Sequence, residues 1–370
     1  MKNILIAIRS IFKKGRHNVM KIVSLGIGLA VGLVLIAKVY FEQSYDDFYP
    51  DRDRVYQVWA KYQQNGGELK DYPQTSGGIA PTMQQQIPEI ETVTRYTSFG
   101  DWTFTMTDTK MKYSGRCIIA DSCFFDILPR PMLIGNAKEV LSTPMYVLIS
   151  SRIAKNIGGD VIGKNFTVDS SPGRTMTIGG VFEEVPENSH SRYDVIVSMA
   201  SAGRFMWEGS PTNMLGNDRY ISYVKLHKGV NPLALEEQVH TFVNSYFPPE
   251  EQQKTGFNIG FSFHELDGLH KELPQVKRMT WILSLLAFAL IFTAVMNYIL
   301  IVISSIVNRS KEVAVHKCYG ASENNIHGMM FGEALVHIVL SLILALLLIL
   351  AFRGTVEELL ATSLDSLLLS

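Results

Sequence analysis

Thirty consecutive residues without a charged side chain, Met279–Asn308, constrain the fold of this chain more than any other feature. A helix needs about twenty apolar residues to cross the hydrocarbon core of a bilayer. Met279–Asn308 is therefore expected to span one, with Trp281 as an interface anchor. A second run, Ala334–Phe352, has nineteen uncharged residues between Glu333 and Arg353. A third, Ile22–Ala37, has sixteen, followed by Lys38 and then Val39-Tyr40-Phe41. It reaches spanning length only if Lys38 carries its amine out to the headgroups. Gly26, Gly28 and Gly32, with Ala30, are expected to thin one face of that helix for a close neighbour. Asn297 and His337 are expected to make helix–helix hydrogen bonds rather than a proton relay, since no Asp or Glu lies inside the spans.

Charge sets the expected orientation. Met1–Lys21 holds six basic residues and no acid, whereas Phe41–Arg278 holds 23 Lys and Arg against 29 Asp and Glu. A basic flank before the first span puts the N-terminus in the cytoplasm and the acidic middle region outside. The run ends in residues too bulky for signal-peptide cleavage, so an uncleaved anchor is expected. Ile4, Leu5, Ile8, Ile11 and Phe12 recur at helical spacing opposite Lys2, Arg9 and Lys13, as in a helix lying in the headgroup layer. The net charge of −1 gives no reason to expect nucleic acid, and 47% hydrophobic residues exclude a disordered chain.

The middle region mixes two periods. Val55–Trp59, Thr92–Thr97, Trp102–Met106, Arg116–Ala120, Thr175–Ile178, Tyr193–Val197, Tyr220–Leu226 and Phe257–Phe263 read as strands. Ile79–Gln86, Ser122–Ile127, Ser150–Ile157 and Leu233–Phe247 read as helices, with Ser151 as a cap of the third. An α+β domain follows, without the βαβ series of a doubly wound sheet.

No constellation in it makes a credible catalytic centre. Gly158-Gly159-Asp160-Val161-Ile162-Gly163-Lys164 has phosphate-loop spacing, but Asn165 stands where a magnesium-binding hydroxyl belongs, and no strand leads into it. His264 and His270 lack a second pair with ligand spacing, so a solvated loop is expected rather than a metal site. Cys117 and Cys123 share a compartment that permits a disulfide, and the strand-to-helix step between them argues against one. The cytoplasmic stretch Asn308–Ser322 differs: Val313, Val315 and Cys318 sit between charges, and Gly320 fits a helix end. Such an elbow, too polar to insert, offers a surface on which a soluble partner can push.

Three segments carry a resemblance. Ser44–Tyr56 (SYDDFYPDRDRVY) includes Tyr45, Asp46, Phe48, Pro50, Asp53 and Arg54 directly after the glycine-rich first run. Gly180–His190 (GVFEEVPENSH) and Arg309–Ser322 (RSKEVAVHKCYGAS) follow in order. Together they resemble the MacB-like, FtsX-type ABC transporter permeases (type VII) of the Bacteroidetes kind. The resemblance implies a membrane protein: a helical transmembrane bundle, with three spans present and a fourth missing, plus a large extracytoplasmic α+β domain. It implies a bacterial inner-membrane permease, not an enzyme, that couples ATP hydrolysis to a periplasmic conformational change by mechanotransmission. ATP-Mg would sit on a separate ATPase subunit, and this chain would bind no cofactor or metal. The elbow residues would be Arg309, Lys311, Glu312, Val313, Val315, Lys317, Gly320 and Ala321.

The implied partners are that ATPase, a second permease in a homodimer or heterodimer, membrane lipid, and in some members a membrane-fusion protein and outer-membrane channel. Export or efflux of an antimicrobial, peptide, lipid or lipoprotein is the expected role. The alternative is a non-transporting regulator or sensor that switches a cell-wall hydrolase or a histidine kinase. The expected organisation is a cytoplasmic amphipathic helix at 1–20, spans at 21–41, 279–305 and 334–352, and a MacB-like core domain at 42–278. Within the core domain, a porter-like part takes 42–119 and 220–274, and an inserted lobe takes 120–219. The coupling elbow takes 306–333, and 353–370 is an extracytoplasmic tail that stops short of the family's fourth span.

Overall fold

The computed structural model describes residues 18–171, 173–308, 318 and 323–369. The interfacial helix expected from Ile4 to Lys13 and the elbow residues from Arg309 to Lys317, with Gly320 and Ala321, lie outside them. The chain divides into two compact units, one built from the segments before Tyr45 and after His270, the other from Tyr45–His270.

Among the described residues of the first unit, three helices are long and apolar enough to cross a membrane: Asn18–Gln43, Pro274–Asn308 and Glu323–Ala351. Each extends beyond its uncharged core into polar sequence, because charge marks where a helix leaves hydrocarbon and not where its hydrogen-bond ladder stops. The small residues of the first span serve two faces rather than one. A Cβ on Gly28 would lie 2.2 Å from the Ala294 Cβ, and one on Gly32 would lie 2.4 Å from Ile291 Cγ1, so these two admit the second span. Gly26 instead faces Leu344 of the third span, at 3.0 Å. Spacing by four puts Gly28 and Gly32 on one stripe and Gly26 and Ala30 on another. Polar contacts fix the register: Asn297 donates to Ser24 Oγ at 2.7 Å, Ser341 donates to the Ile22 carbonyl at 3.1 Å, and Tyr298 Oη lies 3.3 Å from His337 Nδ1. Both residues expected to join helices therefore do so.

Lys38 departs from expectation. Its amine does not reach outward but pairs with Glu42 one turn on, at 2.7 Å, with both side chains at most 10% exposed. In a low-dielectric setting a carboxylate one turn away is a closer partner than a distant headgroup.

The second unit carries eleven strands in one sheet. They are β1 (Val55–Gln64), β2 (Lys70–Tyr72), β3 (Ile90–Met106), β4 (Lys112–Ala120), β5 (Met132–Ile134), β6 (Tyr146–Ser150), β7 (Asn165–Val168), β8 (Thr175–Phe182), β9 (Val195–Ser198), β10 (Ile221–Leu226) and β11 (Phe257–Glu265). The order is β11-β1-β10-β3-β4-β9-β6-β8-β5, with β2 on β1 and β7 bridging β3 and β8. Pairing is antiparallel except for β4 with β9 and β6 with β8. The mixed sheet fits an α+β domain. Helices α1 (Ile79–Gln86), α2 (Phe124–Ile127), α3 (Ala137–Ser142), α4 (Ser151–Ile157), α5 (Ala202–Phe205), α6 (Glu236–Tyr246) and α7 (Pro249–Thr255) pack around it. β4 is buried on both faces: Ile118 and Ala120 enter one core cluster, Cys117 and Ile119 another. Alternation along a strand does this wherever both sides are covered.

Several local expectations are corrected. Thr92–Thr97 and Trp102–Met106 are one strand, β3, because Gly100 takes φ 73 and absorbs a register shift against β4 instead of ending the strand. Helix α3 and strand β6 carried no clear period and were not anticipated. Helix α4 is capped by Ser150, not Ser151: Ser150 Oγ accepts from the Ile153 amide. The phosphate-loop spacing sits between helix α4 and strand β7, the reverse of the strand-then-helix order that aims amides at a phosphate. Cys117 and Cys123 are free thiols. Burial pushes the Cys117 thiol up, and Cys123 donates to the Val93 carbonyl at 3.1 Å.

Candidate functional site

The residues that follow the first span in sequence enter the second unit through one buried carboxylate. Asp46 has φ 62, a left-handed conformation that Asp and Asn tolerate better than other side chains. It is 1% exposed. Its carboxylate accepts from Ser189 Oγ at 3.2 Å, the His190 amide at 3.2 Å and His190 Nδ1 at 2.8 Å. The Asp46 amide donates to the Asn188 carbonyl at 2.9 Å. Thus Ser44–Tyr56 and Gly180–His190, far apart in sequence, interlock at this residue.

The chain of contacts continues inward. His190 Nε2 lies 2.5 Å from Tyr223 Oη on β10. The tautomer with its hydrogen on Nδ1 satisfies both neighbours, since a carboxylate only accepts and the hydroxyl can donate. Ser191 Oγ donates to Tyr96 Oη on β3 at 2.8 Å. Burial pushes the hydroxyls of Tyr49, Tyr96, Tyr193 and Tyr223 up, so all four stay protonated at neutral pH. The cluster is a fastening that ties strands β3 and β10 to the turn after the first span.

A second fastening surrounds Arg54. Its guanidinium donates to Asp51 at 2.9 Å, to Glu91 at 2.7 Å and to the Leu226 carbonyl at 2.9 Å. Lys225 adds a bond to Asp51 at 2.6 Å. Lys225 first, then Arg54, hold the Asp51 carboxyl below its ordinary range; Arg54 does the same to Glu91. Of the remaining signature residues, Phe48 packs on Tyr49 at 4.3 Å and under the Arg130 guanidinium at 5.4 Å. The Asp53 carbonyl accepts from Tyr56 Oη at 3.2 Å, and Pro50 is exposed.

The outgoing end of the domain is strapped to the incoming end. Tyr45 stacks on His270 with ring centroids 3.4 Å apart. Arg52 pairs with Asp47 at 2.7 Å and with Asp267 at 3.3 Å. The Leu266 amide donates to the Val55 carbonyl at 2.9 Å, and Leu266 is fully buried beside Tyr49. Sequence reasoning missed the partners here, Asp51, Tyr223, Lys225 and Asp267, because nothing local announces them. His264 and His270 part company: His264 stacks on Trp59 at 4.1 Å, where burial lowers its pKa, while His270 belongs to the strap. Among the described residues no group of three or more His, Cys, Asp or Glu could hold a metal ion.

Two family models match the chain, a MacB-like periplasmic core domain over residues 20–242 and an FtsX-like permease C-terminal domain over residues 284–369. The chain belongs to the MacB/FtsX-type ABC permeases. A solved domain of a permease protein from Porphyromonas gingivalis is 33% identical, with a TM-score of 0.54, over 59% of this chain and 91% of its own. The periplasmic region of MacB from Actinobacillus actinomycetemcomitans is 15% identical with a TM-score of 0.38, covering 60% of this chain and 92% of its own. The extracellular domain of the noncanonic ABC-type transporter YknZ from Gram-positive bacteria is 10% identical with a TM-score of 0.39, covering 55% and 98%. No curated protein matches the chain. The core-domain match runs from the first span into the second unit, and the FtsX-like match covers most of the second span and the third. In this permease, then, the signature after the first span is the Asp46 fastening and its arginine companions.

Proposed function

We propose that this permease subunit converts ATP hydrolysis on a separate cytoplasmic ATPase, which holds the ATP-Mg, into movement of its large domain on the far side of a bacterial inner membrane. The N-terminus and the elbow 309–322 lie in the cytoplasm, and the ATPase works on Arg309, Lys311, Glu312, Val313, Val315, Lys317, Gly320 and Ala321. A dimer of permeases, exporting an antimicrobial, peptide, lipid or lipoprotein without passing it through the bilayer core, completes the assembly. A membrane-fusion protein and outer-membrane channel would receive the cargo.

The observation that carries this reading is the strap. The domain's incoming and outgoing ends, which lead by chain from the first span and into the second, are fastened to each other by Tyr45 on His270 and by Arg52 on Asp267. Behind them the Asp46 and Arg54 clusters fix the same end to β3 and β10. A hydrogen-bonded, close-packed root of this kind yields little under load, so a force applied to either end of the domain would be carried into its sheet. Ordinary linkers are exposed and compliant.

The test is coupling. Glu312→Lys or Gly320→Pro, in the full chain reconstituted with its ATPase, is expected to abolish stimulation of ATP turnover while membrane insertion is unchanged. Wild-type co-purification of the ATPase with unaltered turnover would remove the elbow from the mechanism.

A further inference from the structure

We propose that residues 353–369 form a clasp on the first span, held shut by the hydrogen bond between Lys38 and Thr362 and poised to open when that span shifts. The segment folds as two short helices, Arg353–Leu360 and Leu364–Leu369, joined at Ala361, which takes φ 48. Arg353 braces the bend by pairing with Glu357 at 2.9 Å and Asp365 at 3.0 Å. The bend presents Thr362, whose Oγ1 accepts from Lys38 Nζ at 2.7 Å. Leu364 and Leu367 are buried, at 3% and 4% exposure.

Two features make this contact a catch rather than ordinary packing. Lys38 already has its charge balanced by Glu42 within the same helix, so Thr362 supplies a directional bond and not a counter-charge. In a low-dielectric site such a bond is strong when made, and it leaves an unsatisfied ammonium hydrogen when broken. The apolar face of Arg353–Leu360, moreover, is only partly covered by protein. It borders an open apolar groove lined by Ile27, Val31 and Leu35 of the first span, Leu348 of the third, and Val356 and Leu359 of the clasp, and Leu359 is itself 78% exposed. Lipid chains are as apolar as these side chains, so burial against protein adds little hold there. Lys38 continues the stripe of Ile27, Val31 and Leu35 by three residues, so the catch closes one end of that face. Sliding the first span by a single residue moves Lys38 by about 1.5 Å and 100° around the axis, enough to break the bond. Use of the clasp to restrain a power stroke rests on the mechanical reading above, whereas the clasp itself does not.

Hydrogen exchange on the full chain in lipid nanodiscs tests it without the ATPase. Thr362→Val, which keeps shape and removes the acceptor along with the hydroxyl's own bond to the Leu360 carbonyl at 3.0 Å, is expected to speed exchange of the amides of 353–369 by about tenfold and leave the second span unchanged. Thr362→Ser, which keeps the hydroxyl, is expected to exchange as the wild type. Lys38→Met, which removes the same bond together with the Glu42 pair, should also speed exchange of 353–369, and the two substitutions together should be less than additive. Wild-type exchange in Thr362→Val overturns the proposal, as does equal acceleration in Thr362→Ser, which would assign the hold to the methyl group. A failure of elbow variants to uncouple the ATPase would leave these rates untouched, so the two ideas fall separately.

Discussion

Replacing Asp46 tests the fastening most directly. In Asp46→Ala, the His190 amide and His190 Nδ1 lose their acceptor in a place that is 1% exposed, while Ser189 Oγ keeps the Ser191 carbonyl at 3.0 Å. Each orphaned donor costs about 1–3 kcal/mol when water cannot reach it. His190 keeps 14% of its side chain exposed, so water recovers part of that loss. Alanine in the left-handed region adds about 1 kcal/mol. The sum is about 3–5 kcal/mol, the range found when one partner of a buried charged contact is removed. Asp46→Asn keeps the backbone tolerance and one acceptor oxygen. Its amide meets His190 Nδ1, which must then give up its hydrogen while Nε2 takes one and donates to Tyr223. One charge-assisted bond is lost, at about 1–2 kcal/mol. For a domain of 150–250 residues, each kcal/mol shifts the melting midpoint by about 2–4 °C. Near-ultraviolet circular dichroism of the full chain in nanodiscs should therefore show Asp46→Ala melting about 6–20 °C below wild type, and Asp46→Asn about 2–8 °C below. An Asp46→Ala midpoint within about 2 °C of wild type would mean that the cluster bears no structural load, and the strap reading would lose its root.

Two further outcomes follow from single contacts. Lys225 and Arg54 lower the Asp51 carboxyl from its ordinary 3.8, so the stabilisation it gives is complete above that value and is lost as pH falls through the lower folded one. Asp51→Asn should be less stable at neutral pH and show a shallower loss of stability below about pH 4 in the same melting assay; an unchanged acid limb would place the sensitivity elsewhere. In the spans, Gly28→Ala puts a methyl 2.2 Å from the Ala294 Cβ and should destabilise by about 1–3 kcal/mol. Adding Ala294→Gly should restore most of that, and a double variant no better than Gly28→Ala would rule out this close approach.

What the sequence determined by itself was everything that depends on one-dimensional pattern. Uncharged length gave three membrane helices, because hydrocarbon admits a backbone only when its own hydrogen bonds are closed. Alternation and turn residues gave most strands, and the segments at Ser44, Gly180 and Arg309 gave the family, which the MacB and FtsX models bear out over most of the chain. What pattern could not carry was pairing across distance. That Asp46 would meet His190, Lys38 would meet Thr362, and Gly26 would serve a different neighbour from Gly28 follows from where backbones come to rest. The same limit hid the single strand through Gly100, whose positive φ reads locally as a stop and is used as a bulge. Hydrophobic burial is non-directional and leaves its period in the chain, whereas a hydrogen bond or close contact depends on two partners whose positions are fixed only after the whole domain has packed.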